Sequence, residues 1–204
     1  MHTIRIPDHP IEPLFLSRWS PRAYDATTIA ESDLLTILEA GRWAPSAFNV
    51  QPWRFLYARR SDAHWNAFVS AMDPFNQQWA SNASALIYLV SDTVIPADEG
   101  RPAKPSRYNS FDAGAAWAQI ALQSTVQGYA AHAMAGLDFG KAKQILELPE
   151  RFKLEIGIAI GRRADAAQLP EPLREREVPS DRMGLDQMSF AGPFPSHFDE
   201  IPAE

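Results

Sequence analysis

Ala44-Pro45-Ser46-Ala47-Phe48-Asn49-Val50-Gln51-Pro52-Trp53 is a stretch of small and amide residues between a predicted helix and a predicted strand. Two prolines hold its backbone, while Ser46, Asn49 and Gln51 offer uncharged donors and acceptors. That inventory suits a neutral heterocycle whose edge alternates carbonyl and N–H groups. It suits equally well a loop whose amides cap their own backbone.

On the amino-terminal side of this stretch, Leu34, Leu35, Ile37, Leu38 and Gly41 recur at helical spacing behind Ser32, and Pro45 stops the pattern. On the carboxy-terminal side, Trp53 to Ala58 predicts a strand and Asp62 to Met72 an amphipathic helix capped by Ser61. A second strand is expected at Ala85 to Ser91. Pro96, Pro102 and Pro105 mark Val94 to Tyr108 as an exposed loop. Asp112 to Gln127 is apolar almost all round and ends at Gly128, which predicts a buried helix. Ala130 to Ala135 reads as a strand, Lys141 to Leu148 as a short helix and Leu154 to Ile160 as a central strand. The first seventeen residues, with Pro7, Pro10 and Pro13, read as an extended arm, and Pro170, Pro172 and Pro179 punctuate a long tail. There is no internal repeat. The mixture of strands and buried helices predicts an α+β fold.

The chain has 204 residues, 46% hydrophobic and 22% charged, enough for a substantial core in one domain. A formal net charge of -6 argues against nucleic acid or an anionic membrane as partner, because both select for surplus Lys and Arg. A small-molecule substrate fits better. Without cysteine there is no disulfide, thiolate nucleophile or sulfur-held metal. No apolar run approaches the roughly 20 residues that span a bilayer, and the simplest expected compartment is the cytoplasm.

Arg18-Trp19-Ser20-Pro21-Arg22 places two guanidinium groups and a hydroxyl within one turn. Paired guanidinium donors suit a phosphate, although a solvated surface turn has the same composition. The histidines, His2, His9, His64, His132 and His197, are scattered without ligand spacing, so no metal site is expected. His132, in an apolar strand, reads as a satisfied core residue. No Gly-x-Ser-x-Gly elbow supports a serine triad.

Taken together, the Arg-x-Ser-x-Arg turn, the Pro-Ser-x-x-Asn-x-Gln-Pro-Trp loop and a later Gly-Leu-Asp segment resemble the nitroreductase family of flavoproteins, over about Leu14 to Gly192. The resemblance implies a nitroreductase-like fold, with a central, mostly antiparallel sheet flanked by helices, in a domain-interlocked homodimer. It implies one FMN-binding domain over residues 1–204, with an arm at 1–17 and an extension at 183–204. It further implies transfer of electrons from NADH or NADPH to a small electron-poor acceptor such as a nitroaromatic or quinone. A ping-pong cycle serves both ligands in one slot, and no protein side chain is assigned as catalytic because the chemistry belongs to the flavin. The absence of a Gly-x-Gly-x-x-Gly fingerprint is compatible with this. Alternatives within the same resemblance are an enone reductase or a non-catalytic flavin-binding protein.

Carried over by position, Arg18, Trp19, Ser20 and Arg22 match the segment that holds the FMN phosphate and ribityl chain, and Arg182 matches a basic residue that closes on the phosphate. Pro45, Ser46, Ala47, Phe48 and Asn49 match the loop that reaches the flavin from the other subunit, with Gln51 beside them. Asn76 matches an amide that meets the pyrimidine ring, and Ala133, Met134, Ala135 and Gly136 match the loop passing the isoalloxazine. Two departures stand out: Trp79 occupies a position where some relatives carry Lys, and Ala135 one where some carry Glu. Trp19, Trp43 and Trp79 are candidates for the substrate floor, and the segments Trp65 to Trp79 and Val94 to Tyr108 for the acceptor pocket. Arg162 and Arg163 read as surface salt-bridge residues. Leu185, Phe190, Phe194 and Phe198 suit an arm laid over a second subunit.

Overall fold

The computed structural model describes residues 5–98, 100 and 102–195. Its strands are β1 (Trp53–Arg59), β2 (Ala85–Asp92), β3 (Val94–Ile95), β4 (Lys104–Pro105), β5 (Ala130–Met134) and β6 (Phe152–Gly161). Its helices are α1 (Pro13–Ser17), α2 (Glu31–Arg42), α3 (Trp65–Ser70), α4 (Pro74–Ala80), α5 (Asn109–Val126), α6 (Phe139–Ile145) and α7 (Glu171–Arg174). Four strands form one sheet in the order β1-β2-β6-β5, and every pairing in it is antiparallel. This is the expected α+β arrangement.

Every residue of β2 is buried, which is why its sequence is continuously apolar from Ala85 to Val90 rather than alternating. Leu86, Tyr88 and Val90 face a core shared with Trp65, Phe68 and Trp79 of α3 and α4. Ala85, Ile87 and Leu89 face the opposite core with Leu34 and Ile37 of α2 and Ile120 of α5. The register shifts where Leu89 and Val90 meet Ile156 and Leu154. The extra residue there, Glu155, lets Leu154 and Ile156 serve opposite cores.

The structure departs from the sequence reading in four places. Pro13 starts the short helix α1 where an extended arm was expected, since Pro at N1 costs no hydrogen bond. The helix expected over 62–72 is confined to α3, and a separate helix, α4, follows. Asp73 caps α4 by accepting from the Asn76 backbone N–H at 2.7 Å, and Pro74 occupies its first turn. The proline-rich 94–105 segment is not wholly loop, because Val94 and Ile95 pair with Pro105 and Lys104 in a small hairpin. Finally, α5 buries only the face carrying Ala113, Ala116, Ile120 and Ala121, while Phe111 is 79% and Val126 63% exposed. Its uniform apolarity therefore marks two packing faces, one against this sheet and one uncovered in the single protomer. Among the described residues no helix is long and apolar enough to cross a membrane.

Candidate functional site: an arginine cavity and an amide loop

Arg18, Trp19, Ser20, Arg22 and Arg182 line a single cavity of about 280 Å³, as the sequence reading expected of a phosphate site. Three further groups converge there that the sequence reading did not assign to the site: Arg5 from the arm, Arg176 from the tail and His132 from β5. Among the described residues none of the five arginines is ion-paired. Burial holds the Arg18 guanidinium below its ordinary pKa, and Arg5 and Arg182 push it further down. Burial does the same to Arg22, aided by Arg176. The carboxylates of Glu177 and Asp181 offset Arg22 and Arg5 only in part, and a cluster of guanidinium groups of this kind attracts an anion.

The polar atoms say the same. Among the described residues Arg22 Nε and Trp19 Nε1 are buried donors without a hydrogen-bond partner, as are Trp79 Nε1 and Ser84 Oγ. Such donors are rare in finished cores, and those of Arg22 and Trp19 belong to residues lining the arginine cavity. A phosphoryl group, with several acceptor oxygens and a negative charge, is the ligand chemistry they fit.

Glu177 ties the cavity together without neutralising it. Its carboxylate accepts from the backbone N–H of Arg22 at 2.8 and 3.0 Å and of Ala23 at 2.9 Å, joining segments 155 residues apart. Arg5 adds a second tie, donating to the carbonyls of Ser180, Leu16 and Arg18. Arg174-Glu175-Arg176-Glu177 reads in sequence as a solvated charge run, so only its tertiary placement reveals this role.

The Nδ1 of His132 donates to the carbonyl of Pro21 at 2.9 Å, and its ring lies tilted against that of Trp79 with centroids 4.7 Å apart. Burial is the main reason its pKa falls to about 4. It is a satisfied histidine, as expected, but one that also lines the cavity.

The Pro45–Asn49 loop lies elsewhere in the protomer. Phe48, Asn49 and Val50 line a different cavity, of about 490 Å³, against Ile95, Pro96 and Lys104 of the hairpin. It shares no lining residue with the arginine cavity. Within the loop, Ser46 Oγ accepts from the Gln51 N–H at 2.9 Å, and Gln51 Nε2 donates to the Asn49 carbonyl at 2.9 Å. The self-capping alternative is thus realised for Ser46 and Gln51. Phe48 and Asn49 are exposed, with φ of 54° and 53°.

Asn76 and Gly136 are brought together. The Asn76 side-chain amide donates to the Gly136 carbonyl at 3.0 Å. Of the 133–136 loop, Ala135 is exposed, whereas the Met134 side chain is 3% exposed and belongs to the core.

Several sequence expectations are corrected. Trp79 is fully buried, packed against Tyr24 and His132, and forms no substrate floor. Trp43 is 71% exposed and donates to Glu39 rather than lining either cavity. The segment from Trp65 to Trp79 is two helices that bury Trp65, Phe68 and Trp79, so of the two expected pocket segments only the hairpin lines the larger cavity. Arg162 and Arg163 form no salt bridge among the described residues. Instead Arg162 lies 4.6 Å from the Tyr129 ring centroid and Arg163 5.5 Å from that of Trp19. His2, His197 and Phe198 lie outside the described residues.

Residues 16–67, which contain both the arginine turn and the amide loop, match the model of the nitroreductase family. A solved structure described as an oxidoreductase containing FMN is 46% identical, covers 94% of this chain and 96% of its own, and superposes with a TM-score of 0.90. An uncharacterized 15.4 kDa protein of Mycolicibacterium smegmatis is 36% identical over 153 residues, which is 68% of this chain and 95% of that protein. The CLA biosynthesis enone reductase of Lactiplantibacillus plantarum is 26% identical over 190 residues, covering 77% of this chain and 86% of the enzyme. An antiparallel sheet with helices on both faces and these relatives define an α+β oxidoreductase. The chain belongs to the nitroreductase family.

Proposed function

We propose that this protein binds FMN and passes electrons from NADH or NADPH to a small electron-poor acceptor, nitroaromatic or quinone, by a ping-pong cycle in a homodimer. The observation that carries the reading is the arginine cavity with its two orphaned donors, Arg22 Nε and Trp19 Nε1. Arg18, Ser20, Arg22 and Arg182 would hold the phosphate, with Trp19 beside the ribityl chain. Asn76 and the Ala133–Gly136 backbone would meet the ring, small residues there allowing close approach. Bound FMN supplies the redox chemistry, and the protein contributes orientation, charge and exclusion of competing reactions.

The ring's other neighbours come from the second protomer. Of Pro45, Ser46, Ala47, Phe48, Asn49 and Gln51, Phe48 and Asn49 line a separate cavity and none lines the arginine cavity of its own chain, which suits a loop that serves the partner's flavin. The uncovered face of α5, with Phe111, Gly114 and Val126, is the surface we assign to dimerisation. The tail from Leu185 through Phe194, exposed at both ends, is the arm that reaches over the second subunit. The 490 Å³ cavity, mostly apolar and within the size range of small-molecule sites, is where the acceptor and nicotinamide would enter in turn.

A second reading, an enone as acceptor, is favoured by the likeness to the Lactiplantibacillus plantarum enone reductase. Purified protein should be yellow with one FMN per chain. Anaerobic addition of NADH or NADPH should bleach it, and reoxidation rates across nitroaromatics, quinones and enones rank the acceptors. Colourless protein that takes up no added FMN would overturn the proposal.

A further inference from the structure

Asp112 stands in the first turn of α5 with only 4% of its surface exposed. Its carboxylate oxygens lie 3.2 and 3.3 Å from the backbone N–H of Ala47, and among the described residues it accepts from no other donor. A buried carboxylate with so little compensation is costly, and burial accordingly pushes its pKa up. The N–H it meets opens a short stretch in which Phe48, Asn49 and Gln51 all have positive φ, at 54°, 53° and 51°. Non-glycine residues hold such angles only where their surroundings over-determine them. Within the loop the Asn49 N–H donates to the Ser46 carbonyl, the Val50 N–H to the Ala47 carbonyl, the Gln51 N–H to Ser46 Oγ and Gln51 Nε2 to the Asn49 carbonyl, while Asp112 on the Ala47 N–H ties the front of the loop to α5.

From this arrangement we propose that Asp112 is a positioning residue for FMN binding, acting through the 45–51 loop and resting on the proposed function above. It fixes the strained loop to α5. Its neighbour Phe111 lies on the uncovered face of that helix, so one rigid element sets both the loop's conformation and the surface assigned to the partner. A mere space-filling role would be met by any side chain of similar volume. The positioning role requires an acceptor for the Ala47 N–H.

Asp112→Ala, Asp112→Leu and Asp112→Asn in the full chain separate these roles. Hydrogen exchange of residues 46–50 in flavin-free protein reads the grip on the loop, and titration with FMN reads its consequence. Alanine and leucine should speed loop exchange and raise the FMN Kd about tenfold or more, as loss of a hydrogen bond to a charged group predicts. Asparagine, whose amide oxygen still accepts, should stay within about threefold of the parent. Leucine decides if the alanine variant fails to fold. Parental FMN affinity in Asp112→Leu, unaltered loop exchange, or an Asn variant as weak as the Leu variant overturns the inference while parental binding keeps the proposed function. A parent that binds no FMN removes both.

Discussion

The side-chain amide of Asn76 donates to the backbone carbonyl of Gly136 at 3.0 Å, closing α4 onto the loop after β5 across 60 residues of sequence. The same carbonyl accepts from the Asp73 backbone N–H at 3.2 Å. A Cβ at position 136 would fall 2.0 Å from Asp73 Oδ2 and 2.5 Å from Asn76 Nδ2. Gly136→Ala must therefore displace the helix cap, the amide or the loop. It should destabilise the protein by about 1–3 kcal/mol in urea titrations, the usual range for an overpacked site. On the proposed function it also weakens FMN binding. Parental stability in this variant would mean that the Asp73 side chain moves aside without cost.

Arg18→Ala removes one of the unpaired guanidiniums from the cavity. Because among the described residues the Arg18 side chain makes one weak hydrogen bond, to Ser20 Oγ at 3.4 Å, the folded chain loses little. The loss of a charge-assisted contact should raise the FMN Kd by roughly tenfold to a hundredfold, with an unchanged melting temperature for the flavin-free protein. Fluorescence titration measures the first and circular dichroism the second. Equal flavin content in variant and parent would remove Arg18 from the phosphate site.

His132 makes stability depend on pH. Its folded pKa of about 4 lies below the ordinary 6.5, so the unfolded chain binds the proton more readily. Its contribution is complete above about pH 6.5 and is lost as pH falls through about 4, at most about 3 kcal/mol in all. His132→Phe should therefore show a shallower fall in unfolding free energy between pH 7 and pH 4 than the parent. An FMN phosphate beside the imidazole favours its protonated form, so adding FMN should raise the His132 titration midpoint followed by NMR. A midpoint that ignores FMN would place the phosphate elsewhere.

Gly114 lies on the uncovered face of α5 with nothing near the position a Cβ would take. Replacing it with Glu improves helix propensity and leaves the protomer's packing alone. It also sets a charge in the apolar surface assigned to the dimer. The parent should sediment as a dimer and Gly114→Glu as a folded monomer that retains FMN poorly. A parent that is monomeric at micromolar concentration, or a dimeric variant, would move the interface off this helix.

The main strands and the larger helices, and the two donor-rich segments proposed for the site, were legible in the chain because their signals are local. The continuous apolar run of β2 marks a strand buried on both faces, and Arg18 to Arg22 and Pro45 to Asn49 each concentrate their donors within five residues. Helix α4 was legible in principle, from Asp73 and Pro74 at its start, but without an extended apolar repeat it leaves a weak trace. The uncovered face of α5 was hidden by the same uniform apolarity that announced the helix.

Sequence alone determined which short segments concentrate guanidinium and amide donors, since residue type and close spacing suffice for that. Folding decided what completes them: Arg5, Arg176 and His132 around Arg18, Glu177 on the Arg22 N–H, and Asp112 on the Ala47 N–H. Those partners come from segments of chain brought together only when the sheet closes between its two cores. Contacts across such separations leave no periodicity or spacing to read, because the packing of the elements, and no local preference, sets the distance between them.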